Sequence, residues 1–276
     1  MSLILIIAGP EPTRMGFYPS RISDNVMLSI FVRKARVAIT PRSFLLKSHL
    51  QNGVVVAGYN RSGHGGRGVY IWRDGLEPEL AALSAFLRPG MCFVDIGANV
   101  GVYTMKAAQG VGAEGLVIAV EPFIESARQL AANARANGFE NVRLRNCCVG
   151  RATGHSKLYL NDCKPNSFGL LRTGDARSLS VFCATLDDLC HWEALERLDY
   201  LKIDAEGAEE MILEGGSRSI ELFRPIIQIE VVKASTAIPK AYRRFSAVGS
   251  PNNVLIPAEN EQALESARDL GWLEVL

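Results

Sequence analysis

The 276-residue chain is predicted to fold as an α/β protein, with a mostly parallel sheet, helices on both faces and an added N-terminal segment. Three observations carry this expectation. From Arg88 onward, short apolar runs alternate with segments of helical periodicity, the pattern of consecutive βαβ units. One of these runs, FVDIGANVGVYT at Phe93 to Thr104, enters a glycine-containing turn, and the next ends at Glu121. The length suits one large domain or a domain with an added lobe, since domains usually span about 50–250 residues. The expected division is an extension over 1–75, which reads as a lid or substrate lobe or as a segment packed behind the sheet, and an α/β domain over 76–276.

Taken in order, Asp24 to Ile39 reads as a helix, and the glycine-rich RSGHGGRG at 61–68 reads as a loop before a short strand at Val69–Trp72. A helix over Glu79–Leu87 stops at Pro89-Gly90 and delivers the chain to the first core strand. Strands are expected near Cys92–Ile96, Leu116–Glu121, Val142–Val149, Tyr200–Asp204 and Ile226–Val231. Between them, Ile124, Ala127, Leu130, Ala131 and Ala134 fall at helical spacing, and Asn137-Gly138 supplies a C-terminal stop. Met211, Ile212 and Leu213 lie in a second helix that ends at Gly215-Gly216. Residues 154–183 interrupt the rhythm with two alternating runs, His155–Leu160 and Ser178–Cys183, around the turn NDCKPNSFG. This insertion reads equally as a substrate-side element or an edge hairpin. Val254–Pro257 reads as a final antiparallel strand closing the sheet edge. No internal repeat or low-complexity tract is present.

A formal net charge of +1 and the lack of a long basic run argue against a nucleic-acid partner held mainly through phosphates. Cysteines at 92, 147, 148, 163, 183 and 190 show no C-x-x-C spacing, a reduced-compartment pattern in which several thiols fill core space. The opening MSLILIIAG is too short to span a bilayer and lacks a basic residue before its apolar run. A cytoplasmic protein with no membrane partner is therefore expected.

The turn residues point to a nucleoside-containing ligand. Gly97 and Gly101 let the backbone approach a ligand closely, and an acid at the tip of the following strand, Glu121, can accept both ribose hydroxyls. Asn99 replaces the second glycine of the dinucleotide fingerprint, and Asp95 before the turn would repel a diphosphate but attract a cationic amino group. Those features favour S-adenosyl-L-methionine over a dinucleotide. In LDYLKIDAEGAEEMILEGG, Leu198 to Gly216, the strand ends at Asp204, which with Glu206 should face the same crevice, because ligands bind beyond the carboxyl ends of the strands. Glu209 and Glu210 have a simpler reading as first-turn acids favoured by the helix dipole. Glu230 falls near the end of the fifth strand and could join the cleft or pair with Lys202 or Lys233. Lys202 and Lys106 read as solvated or ion-paired surface groups.

FVDIGANVGVYT, VIAVEPFIESARQLAANARANG, NCCVG, TLDDL at 185–189, LKIDAEGAEEMILEGG and RPIIQIEV, in that order, resemble the FkbM family of S-adenosylmethionine-dependent methyltransferases over roughly residues 79 to 257. The resemblance implies a class I methyltransferase fold, Rossmann-like with a seven-stranded sheet, and methyl transfer to a hydroxyl of a sugar or secondary metabolite. It further implies that Asp95, Gly97, Asn99 and Gly101 line the methionine end, Glu121 holds the ribose, Pro122 and Phe123 border the adenine, and Asp204 lies near the reacting centre. Asp204 and Glu206 are the candidate bases. His64, His155, His49 and His191 read as surface residues. A divalent cation on Asp204, Glu206 and Glu230 is a considered but not an expected feature. The rival readings are a nicotinamide-dependent oxidoreductase, against which Asn99 and the acidic 204–206 tip count, and a non-catalytic cofactor-binding scaffold.

Overall fold

A computed structural model describes residues 24–61, 65–160, 168–169, 178–230 and 238–275. The N-terminal apolar run, His64, Cys163, Val231, Lys233 and most of the NDCKPNSFG turn lie outside the described residues. The first described elements are α1 (Asp24–Ile39), the antiparallel hairpin β1 (Leu45–His49) and β2 (Val55–Tyr59), and α2 (Gly66–Trp72). Next come α3 (Pro78–Phe86), β3 (Cys92–Ile96), α4 (Val102–Val111), β4 (Leu116–Val120), α5 (Ile124–Asn137) and β5 (Val142–Arg145). The insertion contributes β6 (Cys148–Val149), β7 (Gly154–Leu160), β8 (Phe168–Gly169) and β9 (Ser178–Ala184). The chain then runs through α6 (Leu186–Trp192), β10 (Tyr200–Ile203), α7 (Glu209–Gly215), α8 (Ser217–Phe223) and β11 (Ile226–Glu230). It finishes with β12 (Tyr242–Ser246), β13 (Asn252–Pro257), α9 (Glu261–Asp269) and β14 (Leu273–Val275).

The central sheet has the order β14-β12-β13-β11-β10-β3-β4-β5. Neighbours from β11 to β5 pair in parallel, while β13, β12 and β14 add antiparallel. This is the expected seven-stranded sheet with an eighth, three-residue edge strand, β14. Alternate strand residues feed two cores, as period-two side chains on a doubly covered sheet must. Phe93, Val117, Ala119, Tyr200 and Ile226 pack with α3, α4, α5 and α9. Val94, Ile96, Ile118, Leu201 and Ile227 pack with α6, α7 and α8 on the opposite face.

Four expectations need correction. Val69–Trp72 is helical: Gly65 (φ 69°) starts the helix, and a Cβ on Gly66 would lie 2.3 Å from the carbonyl carbon of Gly58. That close approach of α2 to β2 overrides the β-branched and aromatic bias of Val69-Tyr70-Ile71-Trp72. The run expected over Val142–Val149 breaks in two, because Asn146 leaves the sheet to donate to the carbonyls of Glu121 (2.8 Å) and Pro122 (3.0 Å). Cys148 and Val149 then pair with β9 in a separate four-stranded sheet that holds the expected β7–β9 hairpin. The Val254–Pro257 strand does not close the edge, since β12 and β14 lie outside it. Lys202 and Lys106 are not surface groups: Lys202 is 4% exposed, and Lys106 lies 2.6 Å from Asp74 in a largely buried pair.

The N-terminal hairpin packs on the core. Asn133 on α5, 2% exposed, exchanges hydrogen bonds with both backbone groups of Ala57 and donates to the carbonyl of Val100. Asn137 does the same for Val55. Among the cysteines, Cys92, Cys148, Cys183 and Cys190 are buried and free, as expected of core-filling thiols. Burial pushes the Cys92 and Cys148 thiols up to about 12.

Candidate functional site

The site forms where the turns after β3, β4 and β10 meet at the carboxyl end of the parallel strands. Gly97 makes this junction possible. Its amide and that of Ala98 each donate to the carbonyl of Val120 at 3.0 Å, drawing the β3 turn across the tip of β4. Its φ of 77° and the absence of a side chain bring it against the β10 turn, where a Cβ would stand 1.8 Å from the Asp204 carbonyl oxygen. Gly101, φ 87°, starts α4 with its Cβ position facing Leu130. Asn99 adopts φ 52°, a left-handed conformation that asparagine tolerates better than most residues.

Glu121 follows β4 and is 7% exposed. Its two carboxylate oxygens accept the backbone N–H groups of Asn99 and Phe123, each at 2.8 Å. Burial lifts its carboxyl to about 7 against those two hydrogen bonds, with Asp95 and Asp204 pushing the same way. The carboxylate thus clamps the β3 turn to the start of α5 while each oxygen keeps a second lone pair for a ligand hydroxyl. Pro122 and Phe123 are half-buried beside it, and Asn146, which the sequence reading overlooked, fixes this tip through its two carbonyl contacts. Gly65 lies against Val100 and Asn99, so the N-terminal segment borders the same turn.

Asp95 is placed differently from the other turn residues. It is fully buried, accepts the Thr104 hydroxyl at 2.6 Å, and lies 3.5 Å from the ammonium of Lys202. Its carboxylate therefore supports the turn from beneath instead of offering an oxygen to a ligand's amino group. Lys202 reaches Asp204 at 3.4 Å and stands 5.0 Å over the ring of Tyr103. Burial alone would lower its pKa, but Asp204, Asp95 and Glu77 together hold the ammonium above the ordinary lysine value. Around it runs a buried polar string. Tyr200 donates to Gln228, Gln228 to Tyr103, and Tyr103 to Glu77, which also accepts from Asn252.

Asp204 is about one-third exposed at its side chain, and Glu206 is exposed on a backbone with φ 50°. Glu209 accepts the amides of Ala205 and Gly207, so it caps the turn that presents both, in keeping with a structural reading. The β11–β13 pairing sets Glu230 opposite Asn252, and among the described residues Lys202 forms its ion pairs with Asp95 and Asp204. His49, His155 and His191 are exposed. Among the described residues no three His, Cys, Asp or Glu side chains converge as a metal shell.

A mostly parallel sheet with this strand order, a glycine turn clamped by an acid on the neighbouring strand, and an acidic tip on β10 make up a Rossmann-like fold of the class I methyltransferase kind. Residues 95–246, more than half of the chain, match the model of the methyltransferase FkbM domain. The chain belongs to that family. It is also similar, at 26% identity over 134 residues, to ribosomal RNA large subunit methyltransferase E of two strains of Acidithiobacillus ferrooxidans. That match covers 48% of this chain and 61% of the relative, so the chain spans under two thirds of the curated relatives' length. Among solved structures, methyltransferase FkbM from Methylobacillus flagellatus KT aligns with a TM-score of 0.44 at 16% identity, over 68% of this chain and 53% of that one. A SAM-dependent methyltransferase from Aquifex aeolicus aligns with a TM-score of 0.37 at 13% identity, over 64% and 87%.

Proposed function

We propose that this chain transfers a methyl group from S-adenosyl-L-methionine to a hydroxyl oxygen of a small acceptor, a sugar or secondary metabolite. The observation that carries the reading is Glu121, a buried carboxylate at the tip of β4 whose oxygens are aimed by the amides of Asn99 and Phe123. A carboxylate so held matches a vicinal ribose diol, and the close approach at Gly97 holds the β3 and β10 turns together beside it. Bound there, the sulfonium cofactor supplies an activated methyl group. Gly97, Asn99 and Gly101 would line its methionine end, with Asp95 acting from below, and Pro122 and Phe123 would border the adenine.

In the transfer the methyl–sulfur bond breaks as the methyl–oxygen bond forms, and the acceptor hydroxyl loses a proton. Asp204 or Glu206 takes that proton in this reading. Holding the hydroxyl in line contributes most, on the order of 7–11 kcal/mol in well-oriented intramolecular systems, and a positioned base adds about 10²–10⁴-fold. Asp204 is the better placed to orient the hydroxyl, because Lys202 fixes its carboxylate while about a third of that side chain stays exposed. A second reading, methylation of RNA, is supported by the match to an rRNA methyltransferase. Parallel calorimetric titrations with S-adenosylmethionine, S-adenosylhomocysteine and NAD, with Glu121→Ala as control, test the cofactor. Binding of both adenosyl compounds, weakened in the variant, is expected; NAD binding alone would overturn the reading. A subsequent acceptor screen that includes RNA separates the two substrate classes.

A further inference from the structure

The helix α1 meets the rest of the protein along one stripe: Ile30 is 3% exposed, and Arg33 and Val37 are half-buried. A different face carries a second apolar row. Leu28, Phe31, Val32 and Ile39 fall three, four and eleven positions apart from the first, on one side of the helix, and are 63%, 66%, 56% and 84% exposed. Phe44 and Leu45, at 59% and 48%, continue the row beyond the helix. Contiguous apolar surface of this kind marks a binding face in a soluble chain.

Charge on the same stretch is one-sided. Between residues 24 and 49 stand Arg33, Lys34, Arg36, Arg42 and Lys47 against the single acid Asp24, in a chain whose net charge is only +1. Under the C-terminal end of α1, Arg36, Lys47, His49 and Arg73 open on a groove of about 650 Å3, with no Asp or Glu among the described residues that line it. Arg73 is locked in the wall by its bond to the His49 carbonyl (2.7 Å) and by the Tyr70 ring 5.7 Å away. Ile39, Phe44 and Leu45 belong both to the exposed row and to the groove wall. Cationic groove and apolar row are therefore one surface.

We propose that this N-terminal face docks on an anionic membrane surface, the apolar row entering the headgroup–acyl boundary and the groove taking a lipid phosphate. The arrangement of apolar face and flanking cations is that of interfacial helices. Among the described residues no helix, α1 included, is long and apolar enough to cross a bilayer. It would lie in the membrane plane. A second copy of the chain fits less well, since a shared contact would bring two cationic faces together. RNA would satisfy the cations but leave Leu28, Phe31 and Ile39 in water. The proposal departs from the expectation, drawn from the N-terminal run and the overall charge, of no membrane partner, because neither signal reports a local face.

Flotation of the full chain with vesicles of phosphatidylcholine alone, or of phosphatidylcholine with phosphatidylglycerol, tests this. Capture by the anionic vesicles only is expected, weakening as salt is raised. Arg36→Gln with Lys47→Gln should lower partitioning roughly thirtyfold, at about 1 kcal/mol per cation, and Phe31→Ser at least about tenfold. These side chains are exposed, so thermal melting should be unchanged. Absence of capture, equal capture by neutral vesicles, or full capture of Phe31→Ser would overturn the proposal. So would self-association, or retention of RNA, in the absence of vesicle binding.

Discussion

Replacing Lys202 by Met tests the electrostatic frame of the site most directly. The substitution keeps most of the side-chain volume and removes the ammonium 3.5 Å from Asp95 and 3.4 Å from Asp204. At an effective dielectric of about 20, each contact is a Coulomb attraction of roughly 5 kcal/mol before desolvation. Asp204 is one-third exposed, so water replaces much of that contact. Asp95 is not: with no exposure it keeps only the Thr104 hydroxyl on one oxygen, and the other loses its cation. Stranding one partner of a buried pair costs about 3–5 kcal/mol. The expected loss in urea unfolding at neutral pH is therefore about 3–4 kcal/mol, with weaker S-adenosylhomocysteine binding as the β3 turn loosens. Adding Asp95→Asn should recover part of the loss, because no uncompensated charge then remains. A single-variant loss below about 1 kcal/mol, or strictly additive effects in the double variant, would refute the reasoning.

Three further outcomes follow from the site and its supports. Glu121 carries a pKa raised to about 7 by burial, and a carboxylate that accepts two hydroxyls must be ionised; calorimetry should show S-adenosylhomocysteine affinity rising about tenfold per pH unit below 7 and levelling above it, with no slope in Glu121→Gln. The sign for stability is opposite: the Glu121 contribution is fully present below its unfolded value of about 4.3 and is lost as pH rises through about 7, so ligand and fold compete over the same proton. Gly97→Ala should cost more than about 3 kcal/mol in denaturant unfolding, since its Cβ meets backbone at 1.8 Å, whereas Gly138→Ala, φ 68° with nothing within 4 Å, should cost only about 1–2 kcal/mol; equal losses would disprove the close approach. Asn133→Ala strands the amide and carbonyl of Ala57, and about 1–3 kcal/mol of lost stability with faster proteolysis near residues 50–60 is expected.

Local chemistry made the strands and the acid-tipped turns legible. A run such as Phe93–Ile96 has no option but a buried strand, and Gly97, Asn99 and Gly101 take the positive φ values that their side chains permit. The failures lie where tertiary contacts decide. Gly66 reads as loop until β2 is known to pass against it, and Asn146 reads as strand until its amide is seen holding the Glu121 and Pro122 carbonyls. The N-terminal hairpin had a local signal, Asn52-Gly53, whose positive φ values turn β1 into β2, but the polar-interrupted strands beside it hid the alternation.

Lys202 shows what combining two legible facts would have yielded. The parallel order places β10 between β3 and β11, and each of its residues is then flanked on both sides, so a lysine in its middle cannot reach water sideways. Register sets Lys202 opposite Asp95 on one neighbour and Gln228 on the other, all three pointing to the face that carries Tyr200 and Phe93. A buried lysine must be paired, and cross-strand register names Asp95 as its partner. The residue that ties the base of the β3 turn to the acidic tip of β10 is thus dictated by sheet order and strand phase, and a one-residue slip of β10 would turn Lys202 into the opposite, aliphatic core and leave Asp95 alone.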